Sequence, residues 1–186
     1  MYMFKMKNEK MKKNTLSLFL IVMACNASAQ EYGYSRGDKL LNIGVGVNSY
    51  YSGGIPLSAS FETGITDQIS VGVGVDYLSN KYNVGSDASY KFTALYFGAR
   101  ASYHVNELLN INNKKVDLYG GATVGYRNFT WKDNYSNGSL SDSYGSGVFL
   151  GGFIGGKYYF TQRIGAFTEL GAAGSTNGRL GVALKF

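Results

Sequence analysis

From Leu41 onward, apolar and polar residues alternate in runs with a period of two, which predicts strands rather than helices. In Leu41–Asn48 the residues Leu41, Ile43, Val45 and Val47 share one face, with Asn42, Gly44, Gly46 and Asn48 opposite. Ile69–Asp76 nearly repeats that segment, and Leu57–Ile65 between them alternates in the same way. Further strands are predicted near Lys91–His104, Val116–Thr130, Val148–Phe160 and Ile164–Ala172, and an eighth at Gly178–Phe186. Eight strands of about nine to eleven residues suit a tilted sheet that closes on itself across a bilayer, with an even count returning both ends to one side.

The facing of the middle strands follows from charge. An Arg or Lys held against lipid at the bilayer midplane costs about 2–4 kcal/mol. Arg100, Lys157 and Glu169 are therefore assigned to the inside, which turns Phe97, Leu118, Val124, Leu150 and Ile154 outward. The inward ionisable set is then Glu62, Arg100, Asp117, Lys157 and Glu169 toward one end, and Asp76, Arg127 and Arg179 toward the other. An eight-stranded barrel has room inside only for side chains, so these eight residues are expected to pair across the lumen as a structural plug, with an ion path as the alternative. A soluble barrel would alternate as well, with its apolar face inward. The opposite face here, rich in Gly, Ser, Asn and Tyr, makes a poor solvent surface.

Connection lengths point the same way. Thr66–Gln68 and Thr161–Arg163 read as tight turns, whereas Ser49–Gly54, Ser79–Ser89, Trp131–Ser146 and Ala173–Gly178 read as loops at the opposite end. Val105–Lys115 breaks the rule and has the composition of one helical turn.

Composition agrees with an all-β chain: 26 Gly, 16 Tyr and 11 Phe stand against one Pro and one Cys. The mean hydropathy of −0.12 averages over the alternation and excludes nothing. The first 29 residues have the layout of a secretory signal, with five lysines, an apolar run over Leu16–Ala24 and a small-residue cleavage site at Ala27–Ser28–Ala29. Two domains of the precursor follow, a signal peptide at 1–29 and a barrel at 30–186. Five of the 18 Lys+Arg and one of the 12 Asp+Glu fall in that segment, so the remainder carries +2 and offers no reason to invoke nucleic acid. Cleavage would also remove Cys25, the one cysteine, unless Cys25 is itself the lipidation site of a lipoprotein signal.

With its cleaved signal, eight alternating strands, Gly165-Ala-Phe-Thr-Glu-Leu-Gly171 and Gly181-Val-Ala-Leu-Lys-Phe186, the chain resembles the small outer-membrane β-barrel proteins of Gram-negative bacteria, of the OmpX/OmpA-barrel type. The resemblance implies an all-β, eight-stranded antiparallel up-and-down transmembrane barrel with long loops outside the cell and termini in the periplasm. It also implies contact with outer-membrane lipid and lipopolysaccharide. By the same resemblance, the closing strand, through Leu180, Val182, Leu184 and Phe186, would be read by the barrel-assembly machinery.

No catalytic, cofactor or metal site is predicted. His104, the one histidine, reads as an interfacial polar residue at a strand end, and an envelope enzyme using it stays as an alternative. The stretch from Asp133 to Tyr144 half resembles a calcium loop but has Tyr135 and Tyr144 where ligands belong. Tyr82, Trp131, Tyr135 and Tyr144, among Ser, Asn and Gly, are candidate binding residues of the loops for an extracellular ligand. The expected task is a structural or surface-interaction role without catalysis, with a narrow pore as a further alternative.

Overall fold

A computed structural model describes residues 33–51, 53–84, 88–133 and 145–186. The predicted signal, Cys25, Tyr135 and Tyr144 lie outside the described residues. The eight strands are β1 Lys39–Ser49, β2 Leu57–Gly64, β3 Ile69–Val84, β4 Ala88–His104, β5 Val116–Asp133, β6 Gly147–Tyr159, β7 Ile164–Gly171 and β8 Thr176–Lys185. Every neighbouring pair is antiparallel, and β8 pairs back onto β1 from Leu40↔Lys185 to Ser49↔Thr176, which closes the barrel.

Two turns at the end bearing the start of β1 share one local device. Thr66 Oγ1 accepts the N–H groups of Gln68 and Ile69, and Thr161 Oγ1 accepts those of Arg163 and Ile164. A threonine three residues before an isoleucine thus sets each hairpin, by the side-chain-to-backbone bonding that favours turns. The longer connection 105–115 contains one helical turn, with Leu109 N–H bonded to Val105 O and Ile111 N–H to Asn106 O. Asn110, at φ 52, ends it.

The apolar face points outward. Ile43 is 52% exposed, Val73 59% and Leu150 80%, whereas Asn42, Ser70 and Glu62 are buried on the opposite face. A soluble barrel would reverse this arrangement. Tyr103, Tyr158 and Phe160 lie exposed at one edge of the band, and Tyr77, Phe97 and Tyr126 at the other, as interfacial aromatics do.

The structure corrects the predicted loops in one respect. Ser79–Ser89 is largely strand, because β3 runs to Val84 and β4 begins at Ala88, and Trp131 lies within β5 rather than in a loop. Tyr82 is likewise a strand residue. Ile69–Tyr77 already supplies the about nine residues that cross a bilayer, so β3 continues about 23 Å further at 3.3 Å per residue. Along this extension the pattern inverts: Leu78, Phe92 and Ala94 are buried inside, while Ser79, Lys81, Thr93 and Lys91 face outward. Tyr51, Leu78, Phe92, Ala94 and Tyr96 form an inner cluster, against which Tyr82, Phe129, Trp131 and Phe149 pack. Polar outward positions surrounded by serine and asparagine read as loop in the sequence, although the chain there is sheet with its apolar side turned inward.

Introducing charge on the outward band tests this facing. Val124→Arg, at a position 51% exposed and flanked by strands on both sides, should lower folding stability in lipid vesicles by about 2–4 kcal/mol. Thr130→Arg on the extension should leave it within about 0.5 kcal/mol. Denaturant titration of the refolded protein checks both.

Candidate functional site

The alternation of each strand delivers its inward side chains into the lumen, and three groups of ionisable residues fill it. The central group joins six strands. Arg100 Nη2 lies 2.6 Å from Glu169 Oε1, and Arg100 Nε lies 2.8 Å from Glu62 Oε1 in a charge contact whose angle does not make a hydrogen bond. Glu169 also accepts the Tyr119 hydroxyl at 3.0 Å and Arg179 Nη1 at 3.3 Å. Arg179 Nη2 reaches Asp76 Oδ2 at 2.7 Å, and that oxygen accepts the Ser175 N–H at 3.0 Å. The Arg100 guanidinium carbon sits 4.2 Å from the centre of the Phe153 ring.

Gly155 makes this group possible. It stands in register between Tyr119 and Glu169, and a Cβ there would lie 2.7 Å from the Tyr119 ring and 2.9 Å from Glu169 Cγ. A side chain would push apart the two groups that meet across it.

The second group lies nearer the chain termini of the barrel. Asp117 accepts His104 Nδ1 at 2.7 Å and Lys157 Nζ at 3.3 Å, with Lys157 also 4.3 Å from the Tyr119 ring. The third closes the mouth: Lys185 Nζ donates to Gly33 O at 2.7 Å and lies 3.5 Å from Asp38 Oδ2. Burial raises the Asp38 pKa, against the pull of Lys185 and a bond from Ser35 N–H. Tyr34, in the segment before β1, stacks flat on His104 at 3.4 Å between ring centres.

Seven of the eight residues expected to pair do so: Glu62, Asp76, Arg100, Asp117, Lys157, Glu169 and Arg179. Arg127 does not join them. It is half-buried beyond Tyr96, its guanidinium carbon 5.8 Å from the Phe129 ring centre, and no carboxylate among the described residues pairs with it. His104 also departs from expectation, being 3% exposed and bonded inside the lumen rather than interfacial. Lys185 and Asp38 were missed. The alternation that places Arg179 inward also places Lys185 inward, whereas Asp38 precedes the first periodic residue and carries no pattern.

His104 Nε2 lies 3.0 Å from Ser70 Oγ, so Ser70, His104 and Asp117 from three adjacent strands stand in the order of a serine hydrolase triad. The surroundings oppose that chemistry. The Ser70 hydroxyl donates to Glu62 Oε2 at 2.8 Å, Ser70 is fully buried, and the Glu62 carboxylate would repel an oxyanion formed there. The Leu180 and Val182 side chains of the closing strand are exposed, Leu184 is half-buried, and Phe186 follows the end of β8. Tyr82 stacks on Tyr90 at 5.0 Å, and Trp131 packs 4.6 Å from Phe92. No cluster of metal-ligating side chains occurs among the described residues.

Glu169 is the residue on which the central group turns, since it contacts Arg100, Arg179 and Tyr119. Glu169→Gln takes one of two carboxylates from each of Arg100 and Arg179, which keep Glu62 and Asp76, and should cost about 1.5–3 kcal/mol through the weakened charged hydrogen bonds. Arg127→Gln should change stability by no more than about 0.5 kcal/mol. Unfolding titrations in detergent or lipid compare the two.

No family model and no curated protein matches the sequence. Among solved structures, the chain is similar to the outer membrane protein OprG from Pseudomonas aeruginosa, at 15% identity over 84% of this chain and 99% of that one, with a TM-score of 0.52. It is also similar to a de novo designed transmembrane β-barrel, at 16% identity over 84% of this chain and 100% of that one, with a TM-score of 0.50. At such identity the likeness bears on architecture: the fold is the closed, eight-stranded antiparallel barrel of transmembrane β-barrel proteins.

Proposed function

We propose that this chain is an integral outer-membrane barrel with a closed lumen, without catalysis, serving envelope structure and surface interaction. The observation that carries this reading is the joint placement of an exposed apolar band outside and an ion-paired, side-chain-filled lumen inside. Arg100, Glu169, Arg179 and Asp76 link opposite walls of the barrel, and the polar gap beside them has a volume of about 20 Å³, room for one water molecule. The aromatic cluster around Tyr51 and Tyr96 caps that network on the side of the extension.

In this reading, residues 1–29 direct export and are removed. The short turns and both ends of the barrel face the periplasm, and the β3–β5 extension stands outside the cell, in contact with outer-membrane lipid and lipopolysaccharide. Its inner aromatic face around Tyr82 and Trp131 is the candidate surface for an extracellular ligand. Leu180, Val182, Leu184 and Phe186 serve the barrel-assembly machinery, consistent with β8 being the strand that completes the sheet on β1.

Four measurements test the reading. The folded protein should migrate differently on gels before and after boiling, and in planar bilayers it should give no steady single-channel conductance. Reproducible conductance from pure protein would replace the plug with a pore. A fluorophosphonate probe should leave Ser70 unlabelled, and labelling that disappears in Ser70→Ala would establish an enzyme. Deleting Phe186 should lower the level of heat-modifiable barrel in cells more than Tyr82→Ala does, and equal levels would remove the assembly role.

A further inference from the structure

Above Tyr77 the outward face of the extension is laid out in rows set by strand register. Tyr77, Leu95 and Asn128 stand side by side on β3, β4 and β5. Two residues further out come Ser79, Thr93 and Thr130, and two further again Lys81, Lys91 and Lys132. All three lysines are exposed. Directly opposite residues hold their Cβ atoms about 5 Å apart, and like charges so placed destabilise a sheet. No acidic side chain among the described residues pairs with any of the three. Protection of a sheet edge, a common use of lysine, does not explain Lys91, because β4 is the central strand of the extension.

We propose that Lys81, Lys91 and Lys132 bind the phosphates of a multiply phosphorylated glycolipid headgroup in the leaflet around them. The inference rests on the membrane orientation given above and adds a ligand class to it. Height supports a headgroup. The lysine row lies four residues beyond Leu95, about 13 Å along the strand and about 9 Å along the membrane normal for strands tilted near 45°. The headgroup layer extends about 5–8 Å beyond the hydrocarbon on each side, within reach of lysine side chains that extend back toward it. Charge supports more than one phosphate: three adjacent ammonium groups exceed what a zwitterionic lipid offers, since its single phosphate already has a cation of its own. The hydroxyl row beneath, where Ser79 Oγ lies 3.3 Å from Thr93 Oγ1, supplies neutral donors and acceptors at the depth of the sugar.

The test uses the whole barrel refolded into phosphatidylcholine nanodiscs, with boiled and unboiled gel migration first establishing that wild type and variants are embedded. Bis-phosphorylated lipid A, monophosphorylated lipid A and additional phosphatidylcholine are then titrated in. Wild type should prefer the bis-phosphorylated form, in a manner weakened by salt. Lys81→Gln/Lys91→Gln/Lys132→Gln should lose roughly 100-fold in affinity, as expected for three cations near a charged surface. Lys114→Gln/Lys115→Gln, at the opposite end, should not. An embedded triple variant that binds lipid A as wild type does overturns the site while leaving the barrel reading intact, and failure to embed at all indicts the barrel reading instead. Binding of soluble inositol hexakisphosphate with no preference among the lipids would overturn the lipid headgroup as the source.

Discussion

The lumen of an eight-stranded barrel admits side chains and little else, and every charge placed there must find its counter-charge inside the same narrow column. The rest of the structure depends on that constraint. Glu169 meets Arg100 from the far wall and Arg179 from the adjacent strand, and Asp76 takes the second arm of Arg179. Strands far apart in sequence are tied by shared partners, since Arg100 contacts both Glu62 and Glu169, and Arg179 contacts both Glu169 and Asp76. Breaking one contact leaves buried charges less completely paired in a volume with room for about one water molecule, so the network resists piecemeal change. The glycines that interrupt the strands belong to the same design, as Gly155 shows by lying flat between Tyr119 and Glu169.

Seen from outside, the barrel obeys two solvents. Within the band from Ile69 to Tyr77 on β3, apolar side chains face outward, and polar ones face the lumen. Beyond it, on β3, β4 and β5, the sides exchange: aromatic residues pack inward around Tyr96 and Phe92 while serine, threonine and lysine face outward. One continuous hairpin therefore carries a membrane pattern in one half and a water pattern in the other. The crossover falls just beyond Tyr77, and the hydroxyl and lysine rows lie on its polar side.

Ser70, His104 and Asp117 show how geometry alone falls short of function. Their spacing matches a nucleophile, base and orienting acid, yet the serine proton is held by Glu62, the site has no access, and a carboxylate stands where an oxyanion would form. The same hydrogen bonds serve instead to carry polar connection from Lys157 through Asp117, His104 and Ser70 to Glu62, and so to join the mouth of the barrel with its centre. Tyr34 then covers His104 from the end of the lumen.

By itself the sequence determined the class of fold and the facing of its strands, because both follow from local alternation and from the cost of a charge in lipid. That logic reached Arg100, Lys157 and Glu169 one residue at a time and placed them inside. It also carried the two hairpins set by Thr66 and Thr161, where side chain and backbone bond within four residues. It did not reach partners, since which wall faces which depends on closure of β8 on β1 and on the register of every pair between. Arg127 illustrates the gap: its parity is inward like that of Arg179, but register sets Tyr96 between it and Asp76, and its guanidinium lies by the Phe129 ring instead. His104 follows the inward alternation of β4, and only its bond to Asp117 needed the neighbouring strand, whereas Asp38 entered the lumen from a segment with no periodic signal. The length of β3–β5 was hidden because polar outward positions look like loop until the inner face they cover is known. The lysine row is the clearest case of what tertiary structure alone decided: Lys81 and Lys91 are ten positions apart and Lys132 lies 41 further on, and only register sets them side by side.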